Sequence, residues 1–258
     1  MADESMVRTL AAQIDAIWPQ EQPITAAYAP ARILDVGCGT GEFTSRIARQ
    51  HPHARALGVD LVEPHLELAR ARCADLGERV RFERADAYAL PYEDGAFDLV
   101  ACRHVLQAIP DPHLVLAELV RVLAPGGRLH VIAEDYGMIH VVSPREDLAK
   151  FWFDGPRAVA RGGNTDLGIG RHIYTYLRAL PVADVTIHYI AVDTLRVPRA
   201  TFAAIFEAWR DGYVEPIAQL TGQSEARVRE LFDATIDGIR DPDGFALWLV
   251  PLATARRV

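Results

Sequence analysis

The chain has 258 residues, half of them hydrophobic, and a formal net charge of −8. That is enough apolar material for a well-buried domain, and an acidic chain repels phosphate backbones, so nucleic acid is not an expected partner. Three scattered cysteines, Cys38, Cys73 and Cys102, show no metal-ligand or paired spacing, which argues against a structural zinc and against a disulfide scaffold.

The first segment, about 4–18, reads as an amphipathic helix, with Val7, Leu10, Ile14 and Ile17 at helical spacing and Pro19 as its stop. It carries acids where a signal peptide carries bases, and no apolar run reaches membrane-spanning length. A cytoplasmic protein without a membrane partner is the expectation. Alternation then begins. "ARILDV" (31–36) predicts a strand and "GEFTSRIARQ" (41–50) a helix. "RALGVD" (55–60) is a second strand, and Leu66, Ala69, Cys73 and Leu76 mark one face of a second helix. "VRFERAD" (80–86) and "AFDLVAC" (96–102) are strands; Leu116, Leu119, Val120 and Leu123 stripe a helix ended by "PGG" at 125–127; "RLHVIAE" (128–134) is a strong strand.

Strand and helix alternating at this pace predict parallel strands with right-handed crossovers, an α/β doubly wound Rossmann-like sheet. After Glu134 the rhythm breaks. Residues 135–180 read as loop and helix, 182–192 as a strand, 199–219 and 223–238 as helices, and 244–253 as a closing strand. The expected whole is a single domain over 1–258. It has a helical N-terminal segment (1–30), seven mostly parallel strands with an antiparallel one at the C-terminus, and two helical cap insertions, 135–180 and 199–238. Phe202, Ile205, Phe206, Trp209 and Tyr213 share one helix face and are read first as core.

"DVGCGTGEF" (35–43) places three glycines directly after the first strand. A dinucleotide fingerprint needs its third glycine where Glu42 stands; here the glycine comes one residue early, at Gly41. A carboxylate in the first turn of the helix also opposes an anion site there. A phosphate-cradling loop ending in Gly-Lys-Ser/Thr is absent. Asp35 at the strand end adds a second acid, costly to bury unless its ligand is cationic or rich in donors.

With these residues the chain resembles the class I S-adenosylmethionine-dependent methyltransferases, within the small-molecule, ubiquinone/menaquinone-type group. "ILDVGCGTGEF" matches the first motif, "GVD" the second strand end, and "ADAYALPYEDGAFDLV" the next motif. "CRHVLQAIPDP" and "LAPGGRLHVI" match the fourth and fifth strands. The resemblance spans roughly 30–135 and weakens towards 190. It implies that the Gly37, Cys38, Gly39 and Gly41 loop holds S-adenosyl-L-methionine. Asp60 would take the ribose hydroxyls and Leu61 would pack on adenine. Asp86 would receive the adenine amino group and the Ala87 backbone would meet the ring edge. The backbone of Arg103 and His104 would line the methionine end, and Asp35 suits the positive charge of that cofactor.

Methyl transfer from a sulfonium is an in-line displacement, so the protein mostly positions the acceptor and excludes water. The acceptor is expected beyond the fourth and fifth strands. His104, Glu134, Asp135, Tyr136 and His140 fall there; His104, His140 and Tyr136 are the candidates for proton transfer or acceptor orientation. Tyr136 and Trp152 are read as core or as an aromatic wall. Arg171 either orients the following helix or reaches a carboxylate, and His172 and Tyr174 are possible pocket residues. No metal is expected. The expected acceptor is a small molecule, methylated at oxygen, nitrogen or carbon, by a monomer or a homodimer. The alternatives are a non-catalytic S-adenosylmethionine-binding protein and, disfavoured by Glu42 and Asp35, a nucleotide-dependent oxidoreductase.

Overall fold

The computed structural model describes residues 4–144 and 146–258; the first three residues of the N-terminal segment lie outside it. The first half runs α1 (Glu4–Ala26), β1 (Arg32–Val36), α2 (Glu42–Gln50), β2 (Arg55–Asp60), α3 (Glu63–Arg72), β3 (Val80–Arg84), β4 (Phe97–Arg103), α4 (Pro112–Val122) and β5 (Leu123–Ile132). The second runs β6 (Ile139–Val141), α5 (Leu148–Gly163), α6 (Ile173–Arg178), β7 (Val182–Asp193), α7 (Arg199–Thr221), α8 (Glu225–Arg240) and β8 (Ala246–Arg257).

One sheet takes all eight strands, in the order β3-β2-β1-β4-β5-β8-β6, with β7 also paired to β8. β8 alone runs against the rest. β7 occupies one edge of β8 along nearly its whole length, while β5 and β6 share the other, at 252–256 and 246–248. β6 therefore continues the line of β5 across the sheet. Side chains alternate between two cores. Leu34, Val36, Val100 and Cys102 face one, and Ile33, Leu99 and Ala101 face the other. Burial on both faces is why these strands read as unbroken apolar runs. Strand order reverses between β1 and β4, so the loops leaving them part around a crevice.

Three expectations change. The sheet has eight strands, because β6 forms inside 135–180. "PGG" does not separate helix from strand: β5 begins at Leu123 and absorbs the glycines in a register shift against β4. And α1 does not stop at Pro19; it passes through Pro19 and Pro23 to Ala26. An interior proline costs a helix about 3 kcal/mol, but the buried face of α1 continues past it, with Gln13, Ile17, Glu21 and Thr25 at helical spacing. Tertiary burial outweighs the local penalty.

The second half builds its own core from α1, α5, α7, α8 and the end of the sheet, rich in aromatic rings: Phe151, Trp152, Phe202, Phe206, Phe232 and Trp248 are all buried there. The α7 stripe divides: Phe202 and Phe206 are fully enclosed, whereas Trp209 and Tyr213 also border a cavity.

Candidate active site

The glycine loop leaves β1 with Gly37, Gly39 and Gly41 all at positive φ, 70°, 52° and 75°. At Gly37 a Cβ would lie 2.2 Å from Val105 Cγ2, so only glycine lets the loop press against the turn after β4. At Gly41 it would lie 2.9 Å from Ala69 Cβ, which brings α2 close to α3. The Gly37 and Cys38 amides both donate to the Val59 carbonyl (2.8 and 2.9 Å). The Gly39 amide donates to Asp60 Oδ2, and the Val62 amide to Asp60 Oδ1, each at 2.9 Å. Asp60 is thus braced between the loop and the approach to α3. Next to it Leu61 is 51% exposed. Asp86, also exposed, accepts the Tyr88 amide (2.9 Å), with Ala87 half-buried between them. This end of the crevice is open.

The other end is closed. A small cleft is lined by Asp35, Gly37, Cys38, Glu42, Arg103 and His104, and roofed by residues of α1. Asp35 is buried and accepts the Thr44 hydroxyl (2.5 Å). Burial pushes its carboxyl up to about 6, with the Thr44 hydrogen bond and the Arg103 charge pulling the other way. Burial also raises Glu42, against the pull of Arg72, which pairs with it at 2.7 Å. Burial pushes the Cys38 thiol well above its ordinary range, so it is no thiolate at neutral pH. Two partly desolvated carboxyls in one cleft repel a phosphate and suit a cation.

Arg103 sends its backbone past the cleft but turns its guanidinium to Glu21 of α1, at 2.8 and 2.9 Å. Glu21 is fully buried and also meets His130 Nε2 (2.8 Å); Tyr28 contacts the other ring nitrogen at 3.3 Å. Burial favours the neutral acid, but Arg103 and His130 together hold Glu21 below the usual carboxylate range. The sequence reading missed Glu21 and His130. Glu21 lies on the buried stripe of α1, and only the proline hid it.

Beyond β4 and β5 lies a second buried group. His104, at a left-handed φ of 59°, places Nδ1 2.6 Å from Glu134 Oε1. The Gln13 amide of α1 donates to the same oxygen (2.8 Å). His104 Nε2 and Glu134 Oε2 are buried without a hydrogen-bond partner. Tyr136 is half-buried nearby, and loss of hydration followed by the Glu134 charge pushes its phenol well above its usual range. His140 does not join this group. It sits on β6 between buried Ile139 and Val141 and points out, exposed. Arg171 reaches a carboxylate, pairing with buried Asp135 at 2.7 and 2.5 Å. His172 and Tyr174 are exposed.

Next to Tyr136 opens a cavity of about 240 Å³, walled by Trp152, Leu167, Trp209, Tyr213 and Phe232 among others. Every lining residue except Ala108 comes from 135–180 or 199–238.

A family model described as "Methyltransferase domain" matches residues 34–131. The demethylmenaquinone methyltransferase of Thermus thermophilus is 45% identical over 104 residues, 40% of this chain and 47% of that protein. The chain spans about half the length, or less, of the curated relatives it matches. Geranyl diphosphate C-methyltransferase from Streptomyces coelicolor superposes with a TM-score of 0.57 at 17% identity, over 93% of this chain and 75% of that one. The cyclase SpnF superposes at 0.58 with 23% identity, over 92% and 80%. At such identities the likeness is one of fold, and a cyclase among the neighbours shows that the fold alone does not fix the chemistry. Residues 34–131 match the methyltransferase-domain family model, and the sheet that carries them has the Rossmann-like fold of these solved structures.

Proposed function

We propose that this protein transfers a methyl group from S-adenosyl-L-methionine to a small, apolar, ring-bearing acceptor in the cytoplasm. The observation that carries the reading is the presence of two dissimilar spaces past the same strand ends: an acidic cleft under a glycine cradle, and an aromatic cavity that reaches Ala108 and Tyr136, after β4 and β5. The first fits a cofactor with a sulfonium, an ammonium and no phosphate; the second fits a flat apolar molecule. Bound there, the cofactor supplies an already activated methyl group.

The chain's own residues divide the remaining tasks. The loop of Gly37, Cys38, Gly39 and Gly41 gives close backbone approach, and Asp35 offsets positive charge. Asp60 offers its outward lone pairs to the ribose hydroxyls. Leu61, Asp86 and the Ala87 backbone frame the adenine at the open end. Arg103 serves through its backbone, since its side chain is committed to Glu21. α1 keeps water from the closed end, and the two cap segments select the acceptor. Among the described residues no helix is long and apolar enough to cross a membrane.

Calorimetry with S-adenosylhomocysteine and with NAD tests this directly. The expected result is saturable binding of the first and none of the second; NAD binding alone would overturn the assignment.

A further inference from the structure

A buried pair ties a residue of the cleft to the strand end that leads to the cavity. His104 lines the cleft, and Tyr136, two residues past Glu134, lines the cavity. His104 and Glu134 pair with side chains only 6% and 1% exposed. Burying an imidazole nitrogen without a partner costs about 1–3 kcal/mol, and holding a histidine in the left-handed region costs about 1–3 kcal/mol more. Neither cost serves the packing of the sheet.

We propose that His104 and Glu134 form a base dyad, and that the acceptor therefore presents a protic nucleophile, an aromatic or enolic hydroxyl, to His104 Nε2. This rests on the methyltransferase reading above. The geometry assigns the roles by elimination. Glu134 Oε1 already receives two groups, Gln13 Nε2 at 2.8 Å and His104 Nδ1 at 2.6 Å. An ionised carboxylate in that position accepts from both, which puts the ring proton on Nδ1 and leaves a lone pair on Nε2. Tyr136 is held as a neutral phenol, so it can donate to the acceptor but cannot deprotonate it. Two atoms of the group, His104 Nε2 and Glu134 Oε2, have no partner; Oε2 belongs to the carboxylate that anchors the ring, so we assign the base to Nε2, on the residue that lines the cleft. Glu134 is a positioning residue, fixing the tautomer as a carboxylate does for a catalytic imidazole.

The step balances without any further reagent. The acceptor's O–H proton passes to Nε2, an O–C bond forms, and the C–S bond breaks with its electron pair left on sulfur. One positive charge leaves the sulfonium and one appears on the imidazolium. Glu134 remains anionic throughout, so the buried site has the same net charge before and after, which avoids creating a new unpaired charge in a dry space.

The test is the protonation pattern of the His104 ring in isotope-labelled protein with bound S-adenosylhomocysteine at neutral pH. It is read by long-range proton–nitrogen correlation and assigned with His104→Gln. The expected pattern is a proton on Nδ1 and a bare Nε2, with Nε2 the nitrogen that shifts when 2-naphthol is added. In Glu134→Gln the proton should divide between the two nitrogens, and Glu134→Asp should restore it to Nδ1. With 2-naphthol as acceptor, Glu134→Gln should lower kcat by about 100-fold and leave KM nearly unchanged. A proton on Nε2 in the native chain, an Nε2 indifferent to 2-naphthol, or an unaltered ring in Glu134→Gln would each overturn the dyad. Failure to bind S-adenosylhomocysteine at all breaks the methyltransferase reading itself; binding with the wrong tautomer breaks only this proposal.

Discussion

The half that we assign to the cofactor and the half that encloses the aromatic cavity are built on opposite principles. In the first, function sits at strand ends. Asp35 and Asp60 stand at the ends of β1 and β2, the glycines and Asp86 follow β1 and β3 by a few residues, and the parallel sheet brings those ends together. Backbone amides and short acids do the work, so a shift of one helix elsewhere matters little. In the second, the cavity has no backbone motif. Its wall is made by side chains from α5, α7, α8 and the turns after β4 and β5, and its shape exists only because those elements dock. The lesson is that a shared cofactor demands fixed local geometry, whereas an acceptor demands volume, and volume is set by many replaceable side chains.

The most damaging way to probe this division is at an element common to both halves, α1. Glu21→Gln leaves Arg103 buried without its counter-charge, and such a loss costs about 3–5 kcal/mol. A denaturant midpoint should fall accordingly. A loss under about 1 kcal/mol would mean that α1 does not hold the halves together through this pair.

Within the first half, Asp60→Ala should weaken S-adenosylhomocysteine binding by about 1.5–3 kcal/mol, roughly 10–150-fold in Kd. Titration of 2-naphthol into the cavity should be unaffected. Equal effects on both ligands would erase the distinction between the halves.

Asp35 separates function from stability at a single residue. Its folded carboxyl titrates near 6, above an ordinary value of 3.8. Between those values the folded protein keeps a proton that the unfolded chain has released. This group's contribution is therefore fully present below 3.8 and lost as pH rises through 6. Asp35→Asn removes that loss and can still accept the Thr44 hydroxyl. Above pH 6 the variant should be more stable than the native chain by about 1–3 kcal/mol. The gap should close on acidification to pH 4, while affinity for the cationic cofactor drops. Thermal unfolding across this range, with parallel calorimetry, checks both signs.

The smallest effect is expected inside the cavity. Val159 lines it from α5, and Val159→Phe should fill part of its volume at a stability cost of about 1 kcal/mol. Affinity for 2-naphthol should fall by about tenfold, and S-adenosylhomocysteine affinity should stay within about twofold. Fluorescence titration reads the first and calorimetry the second.

How much of this was legible beforehand follows the same division. β2 falls on 55–60 as its alternation predicts, and the early sheet needed only strand rhythm. Glu42 and Asp35 already argued against phosphate, and both line the cleft. Pro19 misled because a local rule competes with burial: nothing in the sequence says that Glu21, two residues further on, finds Arg103 and His130. His104 and His140 were equivalent as loop histidines. The sheet separates them, since His104 leaves β4 beside the crevice and His140 lies on the exposed face of β6.

Sequence alone determined what local geometry determines: the alternating strands and helices, the glycine turn, and the acids at strand ends. Those depend on neighbours a few positions apart. Tertiary structure alone decided which way α1 continued and which histidine met Glu134. It also decided that two segments set apart by a strand would close one aromatic cavity. Those outcomes depend on contacts between residues far apart in the chain, 30 positions for His104 with Glu134 and 121 for Gln13 with Glu134, and no periodicity encodes such a distance.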